Sequence, residues 1–429
     1  MKYLMVSAAA TFLIAANAAE PAATALVTVD FNVRDFGACT GETCTASIQK
    51  AIDAADAAGG GRVVVPSGTW TSGTIWLRSR VELHLAKGAV LKGSTRSEDY
   101  NRSDAFPENF WSDGEEWSGG HLVLGYKVEG ASITGEGTID GSGTEFFGEC
   151  DEDSRFPFYK YGLKLHPKDR KWFRPGPMVA FFLSKNIRVS DVKMCNAPAW
   201  TTHFRCCDGV TIRGVAIRND RTVANTDGFS IDCSKNVEVS GCTVSTGDDA
   251  VAIRASCRHH ADKHPCENIR ISDCDLASCA IGVRVGIGSG TIRNVSVERC
   301  IVREAAYGVR LHSAWRPGKK GCYISDVRVS DCELLECDRP MENVGVADNW
   351  IVDGVVFERC KFASLRPSLL RGNAVRSLRN VTFRSCERKH LDRISVRHHP
   401  GFGGARSRKF IEVEGEVDGL SVVDCSPVK

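Results

Sequence analysis

The sequence predicts an all-β fold, a single-stranded right-handed parallel β-helix with an N-terminal capping helix. Two observations carry this reading. From residue 186 a seven-residue pattern returns nine times: NIRVSDV, GVTIRGV, NVEVSGC, NIRISDC, NVSVERC, DVRVSDC, GVVFERC, NVTFRSC and GLSVVDC begin at 186, 209, 236, 268, 294, 326, 354, 380 and 419. Within each segment apolar and polar residues alternate with the period of a strand. The intervals of 23 to 39 residues are too irregular for a hexapeptide helix, so variable turns must absorb the differences. Seven cysteines (242, 274, 300, 332, 360, 386 and 425) share one offset, as rungs on an interior wall would.

The chain opens with a basic Lys2, an apolar run Leu4–Ala16 and the small residues Ala16-Asn17-Ala18. This is the pattern of a signal peptide over Met1–Ala19, and the run is too short to span a membrane. Residues 20–429 are then read as one β-helix catalytic domain of an exported protein, secreted or periplasmic. Phe31–Ala38 reads as a short strand. In Ala46–Ala58, Ile48, Ala51, Ile52 and Ala55 fall on one helical face, and Gly59-Gly60-Gly61 ends the helix. Strands are expected at Arg62–Pro66, Thr74–Leu77, Val81–Leu85 and Ala89–Lys92. A lone amphipathic helix ahead of such strands covers an open solenoid end.

Two stretches interrupt the rhythm. Residues 97–119 are acidic and aromatic (Tyr100, Phe106, Phe110, Trp111, Trp117), and 146–177 are aromatic and basic (Phe156, Trp172, Lys164, Arg170, Arg174 among others). Long loops of this kind either pack on the outside of the body or wall a groove. As walls closing one end of a groove they would favour exo action. Of the nineteen cysteines, Cys39 with Cys44 and Cys257 with Cys266 are the expected bridges. His259, His260, Asp262, His264 and Cys266 match no zinc spacing and read as a polar turn. Arg371, Arg376, Arg379, Arg384 and Arg388 read as a solvated basic face. The formal charge of +2 gives no signature of nucleic-acid binding. No stretch after the leader is apolar enough for a membrane span, and a monomer is expected.

The chemistry concentrates in 223–256. Asn225-Thr226-Asp227-Gly228 and Gly247-Asp248-Asp249-Ala250 each precede an apolar alternating run, and they align without a gap. On successive coils about 4.8 Å apart, Asp227, Asp248 and Asp249 share one patch. Such crowding raises a carboxyl pKa. Aligning the following strands gives three columns: Asp227, Asp249, Ile281, Tyr307; Ser230, Ala252, Arg284, Arg310; Asp232, Arg254, Gly286, His312. Acids on two coils beside cations suit hydrolysis of a glycosidic bond, one carboxyl protonating the leaving oxygen and another serving water. Arg254, Arg284, Arg310 and His312 would face an anionic, uronic-acid-containing sugar. No metal or cofactor is called for.

The two acidic motifs resemble those of glycoside hydrolase family 28, the polygalacturonase and rhamnogalacturonase group. Phe31–Gly37, the turn at 59–61 and Ile133–Gly141 are similar to that family's opening region. The resemblance implies a pectin-type substrate and an inverting mechanism without metal. Asp248 would be the general acid, Asp227 and Asp249 would hold the attacking water, and Asn225 would orient the first acid. Two motifs depart from the family: Ala280-Ile281-Gly282 stands where Gly-His-Gly is usual, and Arg310-Leu311-His312 where Arg-Ile-Lys is. Two rivals are a polysaccharide lyase on the same architecture, with an arginine base and calcium, and a non-catalytic glycan-binding solenoid.

Overall fold

The computed structural model describes residues 29–110, 119–149, 161–163, 174–257, 263–313, 321–344, 350–373, 375, 377–394 and 406–428. The expected leader Met1–Ala19, most of the aromatic and basic stretch at 146–177, Trp111, Trp117, His259, His260, Asp262 and Arg376 lie outside these. All but two of the described strands build three parallel sheets of 13, 11 and 12 strands, and Phe147–Glu149 pairs antiparallel with Tyr161–Leu163. Each successive coil adds one strand to a sheet, giving a parallel β-helix.

Every repeat strand falls in the 13-stranded sheet, from Lys185–Ser190 to Ser421–Val423. Its second position makes one continuous rung set: Ile187, Val210, Val237, Ile269, Val295, Val327, Val355 and Val381 pair in register. All are buried, and each such side chain stabilises the fold by about 1.5–3 kcal/mol relative to exposure. The first position has a different reason. Asn186, Gly209, Asn236, Asn268, Asn294, Asp326, Gly354, Asn380 and Gly419 all have φ between 51° and 77°, a left-handed turn that asparagine, aspartate and glycine tolerate best. The asparagines also bond from coil to coil: Asn268 Nδ2 donates to Asn236 Oδ1 at 3.0 Å, and Asn294 Nδ2 to Asn268 Oδ1 at 2.7 Å.

The cysteine ladder is a packing feature. The amides of Cys242, Cys300, Cys360 and Cys386 each lie 3.4 Å from the sulfur of the next cysteine in the ladder. Neither expected bridge forms. Cys39 and Cys44 are free thiols, as are Cys257 and Cys266. Cys44 Sγ turns inward to Thr71 O while Cys39 Sγ turns out to Glu42. Cys266 Sγ faces Ile231 O, whereas Cys257 Sγ sits 3.1 Å from Cys206 Sγ.

At the N-terminal end the helix Thr45–Ala57 buries Ile48, Ala51, Ile52 and Ala55 against the first strands, as its spacing predicted. Gly59 (φ 88°) and Gly60 (φ 130°) turn the chain into the strand Gly61–Val65. The expected strand over Phe31–Ala38 is shorter: Asp30–Asn32 pairs, but Val33–Phe36 is a 3-10 turn capped by the Asn32 side chain. A strand at Gly68–Ser72, unforeseen, pairs with Ala89–Gly93. In the interrupting loops, Tyr100 donates to Ser94 O at 2.7 Å, and Phe106 packs on Tyr126 and Phe182. Those two rings are therefore buried in the body. Arg388 is also buried rather than solvated, because strand alternation in Glu387–His390 points it inward to the carbonyls of Ser407 and Lys409.

Candidate active site

The two acidic turns enter adjacent strands of the 11-stranded sheet, Phe229–Asp232 and Val251–Ala255, paired Phe229 to Val251. Main-chain bonding extends into the turns: Thr201 N donates to Asp227 O at 2.8 Å and Gly228 N to Asp249 O at 2.9 Å. The coils meet so closely that a Cβ on Gly228 would lie 2.4 Å from Ala250 O, and one on Gly247 would lie 2.1 Å from Val223 O. Both motif glycines are thus set by contact between turns. Thr226 Oγ1 ties them further, donating to Val223 O at 3.1 Å and accepting from Gly247 N at 3.0 Å.

This stacking brings one carboxylate oxygen from each of Asp227, Asp248 and Asp249 within 4.8 Å of the others. Asp227 and Asp249 are buried and Asp248 is half-buried. Arg254 Nη2 donates to Asp227 Oδ2 at 3.1 Å and lies 3.8 Å from Asp249 Oδ2. Its guanidinium carbon sits 4.2 Å over the Trp200 ring, a stacked cation that has shed water. Arg284 grips Asp249 with Nε and Nη2, the latter at 2.9 Å. Asp248 differs. Its Oδ1 accepts from the Asp249 amide at 3.0 Å, and its Oδ2 is 3.3 and 3.4 Å from the two nitrogens of Asn225. Burial, then the charge of Asp249, pushes the Asp248 carboxyl up to about 7, against the pull of Arg284 and Arg254.

The three oxygens are near enough to ligate a cation, but guanidinium groups already neutralise Asp227 and Asp249. A third ligand that keeps its proton near neutrality completes a donor set ill-suited to a divalent ion.

The columns read from sequence largely hold. Ser230 pairs with Ala252, Ala252 with Arg284, and Arg284 with Arg310. Asp232 pairs with Arg254, and Gly286 with His312. A bulge at Ile287 (φ 73°) shifts the register after Ile253, so the Arg254 to Gly286 step in the third column is not a plain pair. Arg310 turns one coil onward, with Nη2 3.0 Å from Glu342 Oε2 and its guanidinium over Tyr307. Ile281, in the position of the family histidine, packs with Ala280, Ala306 and Tyr307.

Sequence reasoning missed several residues. Arg174, grouped with a basic loop, is buried and donates to Asn225 Oδ1 at 2.8 Å and Ala224 O at 3.2 Å. Beside the acids a second buried set forms, with Asp232 accepting from Ser256 Oγ at 2.7 Å and lying 3.3 Å from Arg205 and 3.5 Å from His203. Nothing in the spacing of Arg174 advertises its partners, which follow about fifty residues later, whereas His203 and Arg205 lie on the strand paired directly with that of Asp232, one coil before the aligned columns begin.

A parallel solenoid whose turns hold three carboxylates among buried arginines carries the groups that cleavage of a glycosidic bond uses. The sequence profile of glycosyl hydrolases family 28 matches residues 60–342, and the chain belongs to that family. It is 27% identical over 280 residues to a probable polygalacturonase of Vitis vinifera, covering 63% of this chain and 52% of that protein, about half its length. It is 27% identical over 305 residues to an endo-polygalacturonase of Pectobacterium carotovorum subsp. carotovorum, covering 70% and 71%. Among solved structures, an exopolygalacturonase of Thermotoga maritima superposes with a TM-score of 0.69 at 22% identity, covering 92% of each chain.

Proposed function

We propose that this protein hydrolyses glycosidic bonds in an acidic pectin-type polysaccharide or its oligosaccharides, with Asp248 as general acid. The observation that carries the reading is the division of labour among three carboxyls within 4.8 Å. Asp248 keeps its proton to about 7, while guanidinium groups hold Asp227 and Asp249. A protonated acid beside two arginine-paired carboxylates is what leaving-group protonation and water activation require together. Asn225, held by Arg174, orients Asp248. The names of the Vitis and Pectobacterium relatives support a polygalacturonan-type substrate. Export through a leader at Met1–Ala19 fits a polymer that cannot enter a cell.

Inversion is the stereochemical outcome we propose, because Asp249, with both oxygens held by Arg284, is fixed in place to orient a water rather than to move onto the anomeric carbon. One observation favours retention: the acids lie closer together than the roughly 6.5–9.5 Å usual for inverting pairs. The anomer released first, read by proton NMR, separates the two.

The test is product analysis on polygalacturonan, rhamnogalacturonan and pectic oligosaccharides, with Asp248→Asn alongside. Saturated products from the parent and none from the variant support the proposal. Ultraviolet-absorbing unsaturated products would replace it with a lyase, and binding without any product with a glycan-binding solenoid. Monosaccharide as the sole early product reports exo action, a ladder of oligomers endo action.

A further inference from the structure

Arg284 lies in the strand Ile281–Gly288, one coil beyond the turn that carries Asp249, and pairs in register with Ala252 on that coil. Ala252 ends at its methyl group, which leaves the long side chain of Arg284 room to lean back across the coil. The result is a two-pronged contact to both oxygens of Asp249, with Arg284 and Asp249 buried. Such a fork fixes a carboxylate in orientation as well as in charge. The remaining terminal nitrogen, Nη1, lies 2.9 Å from His312 Nδ1 on the following coil. A guanidinium has donors only, so Nδ1 accepts, and the neutral ring carries its proton on Nε2. Three coils are linked in one line, Asp249 to Arg284 to His312.

We infer that Arg284 is a positioning residue that keeps Asp249 paired and aimed, and that His312 secures Arg284 rather than reading the sugar. This inference rests on the hydrolase reading. It gives both residues a task within the protein. It also accounts for the apolar Ile281 nearby, since the electrostatic support of Asp249 comes from the fork. The charged groups around Asp249 are Asp227, Asp248, Arg254 and Arg284, with Arg310 acting on it from the next coil, and Arg284 alone contacts both of its oxygens by hydrogen bonds among the described residues.

The experiment compares Arg284→Gln, Arg284→Lys and His312→Gln with the parent, each checked for fold by far-UV circular dichroism. Profiles of kcat/KM against pH are measured on pectic oligosaccharides. Without its cation, Asp249 protonates more readily, so Arg284→Gln should raise the acidic limb by about a unit or more. Its kcat should fall roughly 10²-fold, as for a displaced catalytic group, with KM little changed. Arg284→Lys, which keeps charge but loses the fork, should restore most of the limb position and less of the rate. His312→Gln, a neutral acceptor, should keep the parental limb. A folded Arg284→Gln with the parental acidic limb overturns the inference. A second readout needs no turnover: the Asp249 side-chain carboxyl resonance in ¹³C-aspartate-labelled protein, identified by its loss in Asp249→Asn. An upward-shifted titration in Arg284→Gln supports the inference and an unshifted one overturns it, even where a parent without activity has overturned the hydrolase reading.

Discussion

Arg254 donates to Asp227 across one coil of the solenoid at 3.1 Å, both side chains almost wholly out of solvent. A buried pair of this kind adds little over a well-packed apolar pair, yet removing one partner leaves an uncompensated charge. Arg254→Ala should therefore destabilise the fold by about 3–5 kcal/mol, and Arg254→Lys by less, since the charge stays while stacking on Trp200 is lost. Urea unfolding of the three proteins measures both. Equal stability of parent and Arg254→Ala would mean the pair is solvated in solution.

Asp248 presents the reverse case, an acid that gains by losing its charge. Its folded value of about 7 stands above the ordinary 3.8. The folded state therefore binds a proton that the unfolded chain releases, and the contribution of this carboxyl to stability drains away as pH rises from about 4 to about 7. Asp248→Asn should lose about 10²–10⁴-fold in kcat and yet be more stable than the parent at pH 7. The parent's kcat/KM should fall as pH rises through about 7, where the general acid ionises. An Asp248→Asn protein that is both inactive and unstable would place this carboxyl among the structural groups.

The thiols give a reading independent of catalysis. Cys39 is exposed, while the ladder from Cys242 to Cys386 is buried. A chromogenic disulfide reagent should titrate Cys39 rapidly in native protein and the ladder thiols only after denaturant is added. A non-reducing peptide map showing Cys39 joined to Cys44 would contradict the inward and outward turns of these two side chains.

Much of this architecture is legible in the sequence because a parallel solenoid repeats its constraints. The left-handed turn admits few residue types, so Asn236, Asn268 and Asn294 mark the coils, and period-two burial places Val237, Ile269 and Val295 inside. The same regularity aligns the Asp227 and Asp249 turns from the sequence alone. What stayed hidden depends on where long side chains reach. Arg284 and Arg310 share a column, yet one leans back to Asp249 and the other forward to Glu342, a choice made by Ala252 on one side and Glu342 on the other. Arg388 looked like surface charge because its carbonyl partners, Ser407 and Lys409, follow about twenty residues later. The bulge at Ile287 left no mark in the alternation.

Acid should unfold this protein through two buried histidines. Burial, with Arg205 nearby, holds His203 down to about 3 and His121 down to about 4, from an ordinary 6.5. Both stay neutral in the fold and take up protons once unfolded, so stability that is complete above pH 6.5 is lost as pH falls through that window. Asp248 works against them, because below about 7 it binds a proton only when folded. Between about pH 4 and 6 these three groups together leave one proton more on the unfolded chain, a contribution to the slope of about 1.4 kcal/mol per pH unit. His203→Gln removes one histidine proton and should flatten that slope to near zero, whatever its effect on stability at pH 7. Asp248→Asn removes the opposing group and should roughly double the slope. Unfolding free energies at half-unit steps of pH decide it, and a slope unchanged in both variants would mean that other groups govern the acid response.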